Sequence, residues 1–272
     1  MFDVRVCCGK LHTIFGRRRE EFGQAPYLHG GEELKFQTMD NHTYTMPLIG
    51  DKAPSFEAET TQGKIRFPED FKGQWVILFS HPSDFTPICT SEFVMFGVMQ
   101  KEFEQLNCRL VGLSVGTNAS HIAWLRSIHD RIEFKGYKRV DLNFPLVADM
   151  SMEVARKYGM IQPGVSTSAA VRAVFFIDPE TTIRAVIYYP MQLGRNFDEL
   201  KRVLVGLQTI DKYHVALPAD WRPGDDIIVP APTTYDGTEK SVSGMKCYDW
   251  YFCTKPLPVE KEKAEAKAYE KA

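Results

Sequence analysis

Six cysteines are spread over 272 residues, and one of them, Cys89, stands where a thiol can be made reactive. It closes the stretch His81-Pro82-Ser83-Asp84-Phe85-Thr86-Pro87-Ile88-Cys89, which Thr90-Ser91-Glu92 follows. Thr86 is a good helix N-cap, and Pro87 suits the first helical position, where a missing N–H costs nothing. Cys89 then falls near N3, among unpaired backbone N–H groups and at the positive end of the helix dipole. An anion is favoured there, and the thiolate is the nucleophilic form of cysteine. A cysteine is more often a small buried hydrophobe; at this position the two readings weigh about equally.

A reactive residue needs elements to hold it. Trp75–Ser80 is a continuous apolar run, as in a strand buried on both faces, and Leu110–Ser114 and Val174–Ile177 read the same way. Thr182–Tyr189 is a further strand, with Asp178-Pro179-Glu180 before it as a hairpin turn. Phe93, Phe96, Met99, Phe103 and Leu106 recur at helical spacing after Cys89, and Leu200, Val203, Leu204 and Leu207 do so later. Strands alternating with helices predict an α/β sandwich around a central sheet. After about Tyr213, four prolines (Pro218, Pro223, Pro230 and Pro232) predict a segment without regular structure. Its large apolar side chains, among them Trp221, Trp250, Tyr251 and Phe252, must pack on the domain or on a partner subunit.

The expected organisation is a poorly ordered extension (1–45), a domain (46–213) and an arm (214–272) whose end, Val259 to Ala272, reads as a solvated helix. Lys+Arg (33) nearly balances Asp+Glu (35), which removes any large attraction for nucleic acid or anionic lipid. No apolar run approaches the roughly 20 residues of a membrane span. The cysteines are too few for a disulfide scaffold, and the start of the chain lacks a signal-peptide core, so a cytoplasmic protein is expected.

The spacing of Pro82, Thr86 and Cys89 resembles the P-x-x-x-T-x-x-C signature of peroxiredoxins. The surrounding His81-Pro82 and Asp84-Phe85-Thr86-Pro87 are similar to the one-Cys branch and its archaeal-type two-Cys relatives. Arg172, in Ala170-Val171-Arg172-Ala173-Val174-Phe175, fits the family's strand arginine, and Tyr189-Pro190 with Gly194-Arg195 resembles another segment of that branch. The resemblance runs from about Met46 past Cys253. It implies a thioredoxin-like fold with an extended C-terminal arm, and a peroxidase acting on hydrogen peroxide and organic hydroperoxides. Cys89 would be the nucleophile that becomes sulfenic acid, with Arg172 and Thr86 binding the peroxide. Pro82 would shield the site, Glu92 would hold the arginine, and His81 is a candidate base or donor. Neither a metal nor an organic cofactor is implied.

Glu92 stands where a C-x-x-C partner would be, so the second sulfur must come from elsewhere. Cys108 opens a predicted strand and reads as a core thiol. Cys7-Cys8 with His12 is a weak metal pattern, while Cys247 and Cys253 lie six apart in an aromatic-rich arm: core thiols, half a zinc site or redox partners. In the relatives that this arm resembles, the second cysteine of the pair, here Cys253, resolves the sulfenic acid across a dimer interface. Cys247 would be an auxiliary thiol. The resemblance also implies a thioredoxin-like or other thiol reductant, and a homodimer that assembles into a ring, a decamer. Two alternatives stay open: a one-Cys peroxidase recycled by a small thiol, and a redox-switched holdase or peroxide sensor.

Overall fold

The chain enters through a hairpin, β1 (Phe56–Thr60) and β2 (Gly63–Phe67), and continues through β3 (Trp75–Ser80), α1 (Pro87–Gln105), β4 (Cys108–Ser114) and α2 (Asn118–Arg131). A small hairpin, β5 (Glu133–Phe134) and β6 (Tyr137–Lys138), precedes β7 (Leu146–Ala148) and α3 (Glu153–Lys157). Then come β8 (Arg172–Ile177), β9 (Ile183–Tyr189) and α4 (Phe197–Tyr213), followed by β10 (Ile227–Val229), β11 (Lys246–Asp249) and β12 (Phe252–Lys255). This computed structural model describes residues 46–234 and 244–257. The extension at 1–45, with Cys7 and Cys8, and the helix expected from Val259 to Ala272 lie outside the described residues.

Seven strands form one mixed sheet in the order β2-β1-β7-β4-β3-β8-β9. β3 runs parallel to β4 and antiparallel to β8. Both faces of β3 are covered, and its side chains alternate as the two-residue period requires. Trp75, Ile77 and Phe79 join the core under α1, α2 and α4, while Val76 and Leu78 join the opposite core, which α3 and the β1–β2 hairpin cover. Each large side chain removed from water contributes about 1.5–3 kcal/mol. The turn between β8 and β9 is locked by Asp178, whose carboxylate accepts from the backbone N–H of Glu180 (3.0 Å) and of Thr182 (2.8 Å).

The same alternation decides where Arg172 points. Val174 and Phe176 of β8 face the core of α1, whereas Ala173, Phe175 and Ile177 face away. Arg172 shares the parity of Val174, so it is delivered to the face where α1 lies.

The arm departs from the expectation of irregular chain. β10, β12 and β11 form a three-stranded antiparallel sheet. Its strands are only three or four residues long, too short to show a period in sequence, and the prolines fall outside them. Trp221, Ile227 and Leu257 are buried and pack with Val205 of α4, Tyr213 and Leu217. Tyr248, Trp250, Tyr251 and Phe252 instead point outward from the hairpin, 40–59% exposed.

Candidate active site

Thr86 occupies the N-cap position of α1 in extended backbone conformation, and Pro87 begins the helix. The expected cap itself does not form. Thr86 Oγ1 donates to the Ser83 carbonyl at 2.9 Å, tightening the approach loop rather than covering the helix N–H groups. The hydroxyl hydrogen is thereby committed within the loop while its oxygen keeps its acceptor lone pairs, and the first-turn amides stay available to an anion. Cys89 is the third residue of α1 and is fully buried.

Two arginines and one carboxylate surround it. Arg172 Nη1 donates to Cys89 Sγ (3.3 Å) and to Glu92 Oε2 (2.6 Å). Its Nε and Nη2 both donate to the Met191 carbonyl, at 3.0 and 2.8 Å, which fixes the plane of the guanidinium. Arg195 grips the same carboxylate from the other side: Nη1 donates to Oε2 at 2.7 Å and the backbone N–H to Oε1 at 2.9 Å. Its Nη2 reaches the carbonyls of Ser80 and Ala173, and its guanidinium lies 5.7 Å from the Phe79 ring. Burial pulls the Arg195 guanidinium below its ordinary range, against the opposing pull of Glu92. Two buried cations thus face one carboxylate. The cluster carries a surplus positive charge, which a Cys89 thiolate would neutralise in a medium where charges interact strongly.

A second polar network adjoins this one. Asp84 Oδ1 lies 3.0 Å from His81 Nε2, Oδ2 lies 2.7 Å from His121 Nδ1, and Ser120 Oγ donates to Oδ2 at 2.6 Å. Burial pushes the Asp84 carboxyl up, but hydrogen bonds from His121, His81 and Ser120 outweigh it and hold it well below the usual carboxylate range. Burial pushes the His81 imidazole down to about 4, against the pull of Asp84. Pro82 is half-buried between His81 and the loop into α1.

The structure therefore brings Cys89, Glu92, Arg172 and Arg195 into one contact group, with His81 beside it and Thr86 and Pro82 on the approach loop. It does not bring in the arm. Cys247 and Cys253 are cross-strand neighbours on β11 and β12 and form a disulfide with each other. Cys253 is buried and Cys247 exposed. Cys108 is a packed core thiol, as its place at the start of a buried strand suggested, and burial pushes it far up. Among the described residues no His/Cys/Asp/Glu group could hold a metal ion, and no helix is long and apolar enough to cross a membrane.

Sequence reasoning missed the contribution of α2. Ser120 and His121, like the backbone carbonyl of Met191, carry no recognisable motif. The signal that could have exposed α2 was the N-cap Thr117, whose side chain accepts from the Ser120 N–H, with His121, Trp124 and Ile128 buried on one face.

Residues 49–186 match the AhpC/TSA family, and residues 206–244 match the C-terminal domain of 1-Cys peroxiredoxin. A peroxiredoxin of Methanosarcina mazei is 54% identical over 214 residues, covering 77% of this chain and 98% of that protein. One of Aquifex aeolicus is 49% identical, covering 78% and 98%. Among solved structures, yeast mitochondrial 1-Cys peroxiredoxin matches with a TM-score of 0.68 and 35% identity, covering 78% of this chain and 100% of that one. Peroxiredoxin 6 of Arenicola marina matches at 0.67 and 33%, covering 79% and 100%. The mixed sheet flanked by helices is accordingly a thioredoxin-like fold, as the motifs implied. On these matches the chain belongs to the peroxiredoxin family of peroxide-reducing peroxidases.

Proposed function

We propose that this chain is a thiol peroxidase in which Cys89 reduces hydrogen peroxide and organic hydroperoxides. The observation that carries the reading is the 3.3 Å approach of Arg172 Nη1 to Cys89 Sγ, with the guanidinium clamped by Glu92 and the Met191 carbonyl. The Cys89 thiolate attacks the nearer oxygen of the hydroperoxide, the O–O bond breaks, and sulfenic acid and an alkoxide form. The alkoxide takes a proton and leaves as alcohol, or as water when the substrate is hydrogen peroxide. Negative charge grows on the leaving oxygen, and a fixed guanidinium stabilises it without reorganisation. Thr86 joins Arg172 in holding the peroxide, and Pro82 keeps bulk water away.

The arm completes the cycle. Cys253 of a partner subunit condenses with the Cys89 sulfenic acid, forming a disulfide and releasing water. Cys247 then displaces Cys89 by thiol–disulfide exchange. The product of that exchange is a Cys247–Cys253 disulfide, the pairing present here, with Cys89 a free thiol again. A thioredoxin-like donor supplies two electrons and two protons to reopen the arm disulfide. Because Cys89 has no exposed surface, its meeting with a second sulfur requires the first turn of α1 to open locally. The outward aromatics of the arm hairpin supply the surface for a homodimer, which assembles into a ring, a decamer. The protein is placed in the cytoplasm, with residues 46–213 as the peroxidase domain and 214–272 as the arm.

The arm disulfide also supports a second reading, in which it is structural and a small thiol resolves Cys89. A non-reducing gel after one equivalent of peroxide separates the two. Starting from fully reduced protein, the intersubunit cycle predicts a transient covalent dimer that Cys253→Ser abolishes. Monomer throughout, with Cys89 oxidised by mass and no intrachain disulfide to it, would overturn the arm's role. No peroxide consumption with intact Cys89 would overturn the peroxidase itself.

A further inference from the structure

The two sulfurs of the arm disulfide differ in their surroundings. In the three-stranded sheet β12 is the central strand, with β10 on one side and β11 on the other. Cys253 sits on β12, directly opposite Val229 of β10 and opposite Cys247 of β11. Side chains directly opposite one another share a face, so Val229, Cys253 and Cys247 form one row across the sheet. Cys253 is buried, at 9% exposure, whereas Cys247, on the edge strand, is exposed. Among the described residues nothing pairs with the outer edge of β11, which leaves main-chain groups open beside Cys247.

A thiolate displaces at sulfur in line with the S–S bond, so the sulfur it attacks must be open on the side away from its partner. The bond here runs across the strands, from β11 to β12. Behind Cys247 lies the open edge of β11, and behind Cys253 lies Val229 of β10. Phe252 precedes Cys253 on β12 and so points from the other face of the sheet, where it stacks on Tyr248 at 4.8 Å. That aromatic pair therefore does not cover the disulfide row.

We propose that a dithiol protein of the thioredoxin type reopens the arm by attacking Cys247, from beyond the edge of β11, with Cys253 as the leaving group. This rests on the redox role given to the arm above and adds which sulfur the reductant meets. The donor thiolate bonds to Cys247 Sγ, the Cys247–Cys253 bond breaks, and Cys253 leaves as a thiolate that takes a proton. Cys253 Sγ lies 3.6 Å from the Asp249 carbonyl, which accepts the hydrogen of the restored thiol. The donor's second thiol then attacks the donor sulfur of the mixed disulfide, and Cys247 leaves and is protonated. Two electrons and two protons have passed to the arm, the donor carries away the disulfide, and the shielded Cys253 is the first thiol restored.

The test uses the full chain with its arm disulfide closed, and a thioredoxin whose second active-site cysteine is replaced by serine, which halts the exchange at the mixed disulfide. Acid quenching, alkylation of free thiols and tandem mass spectrometry of the peptide 247–255 then locate both groups. Thioredoxin on Cys247 with alkyl on Cys253 should exceed the reverse pattern about 10-fold or more. Thioredoxin on Cys253, or equal amounts at the two sites, would overturn the proposal while leaving the arm's redox role intact. An arm disulfide that unmodified thioredoxin leaves closed would overturn that role and the proposal with it. Should the mixed disulfide be too short-lived to trap, glutathione as the attacking thiol decides by the same spectra: its adduct on Cys247 supports the assignment, and its adduct on Cys253 refutes it.

Discussion

Glu92 and Arg195 are more than a hundred positions apart in the chain, yet Arg195 holds both oxygens of that one carboxylate, by its backbone N–H at 2.9 Å and by Nη1 at 2.7 Å. Oε2 is also the atom that Arg172 Nη1 meets at 2.6 Å. Glu92 is thus the hinge of a buried arginine–carboxylate–arginine bridge joining α1, β8 and the segment before α4. The guanidinium that reaches Cys89 cannot move without breaking a contact to it.

Glu92→Gln keeps the shape and removes the charge. It strands two buried guanidiniums, and breaking a buried pair by removing one partner costs about 3–5 kcal/mol. Urea denaturation of the reduced protein should show a loss of that size. A change under about 1 kcal/mol, the range of exposed pairs, would contradict the bridge.

Arg172→Lys should spare the charge and lose the activity. Lysine is a point donor on a flexible stem and cannot hold the Met191 carbonyl, Glu92 and Cys89 Sγ together. The second-order rate constant of Cys89 with hydrogen peroxide should fall about 10²-fold, the cost of one misplaced charge-stabilising donor. A rate near wild type would mean that charge alone suffices.

Acid should weaken the fold through His81. The folded protein keeps this ring neutral down to about 4, whereas its ordinary value is 6.5. Between those values the unfolded chain binds the extra proton, so stability is present above pH 6.5 and falls as pH drops towards 4, by on the order of 3 kcal/mol. Asp84, whose folded carboxyl is held low, adds a loss of the same sign at still lower pH. Denaturation midpoints measured from pH 7 to 4 should fall steeply in wild type and less in His81→Asn; equal slopes would refute the assignment.

Trp221→Ala tests the anchoring of the arm. The side chain is buried against residues of α4 and the segment after it, and its indole N–H donates to the Asp225 carbonyl at 3.2 Å. Its truncation should cost about 3–5 kcal/mol locally and release the arm from α4. Limited proteolysis should then cut after residue 213 faster than in wild type, while Cys89 still reacts with peroxide.

Much of the site was legible because it rests on local rules. Thr86, Pro87 and Cys89 take the helix-start positions that local rules assign them, although the Thr86 side chain does not make the expected cap, and the buried strand Trp75–Ser80 shows itself as an apolar run that the structure reproduces residue for residue. The arm strands and α2 were not legible: three- and four-residue strands carry no period, and the buried face of α2 rests on His121, Trp124 and Ile128 alone.

By itself the chain's order of residues determined that a cysteine sits in the first turn of a helix behind a buried strand, a matter of near-neighbour sterics and hydrogen bonding. Only the tertiary structure decided which charges surround that cysteine. The strand alternation that turns Arg172 towards α1, the pairing of Arg195 with Glu92 and the meeting of His121 with Asp84 each join residues tens of positions apart. Long-range electrostatics of this kind depends on distance in space, and separation along the chain does not encode it.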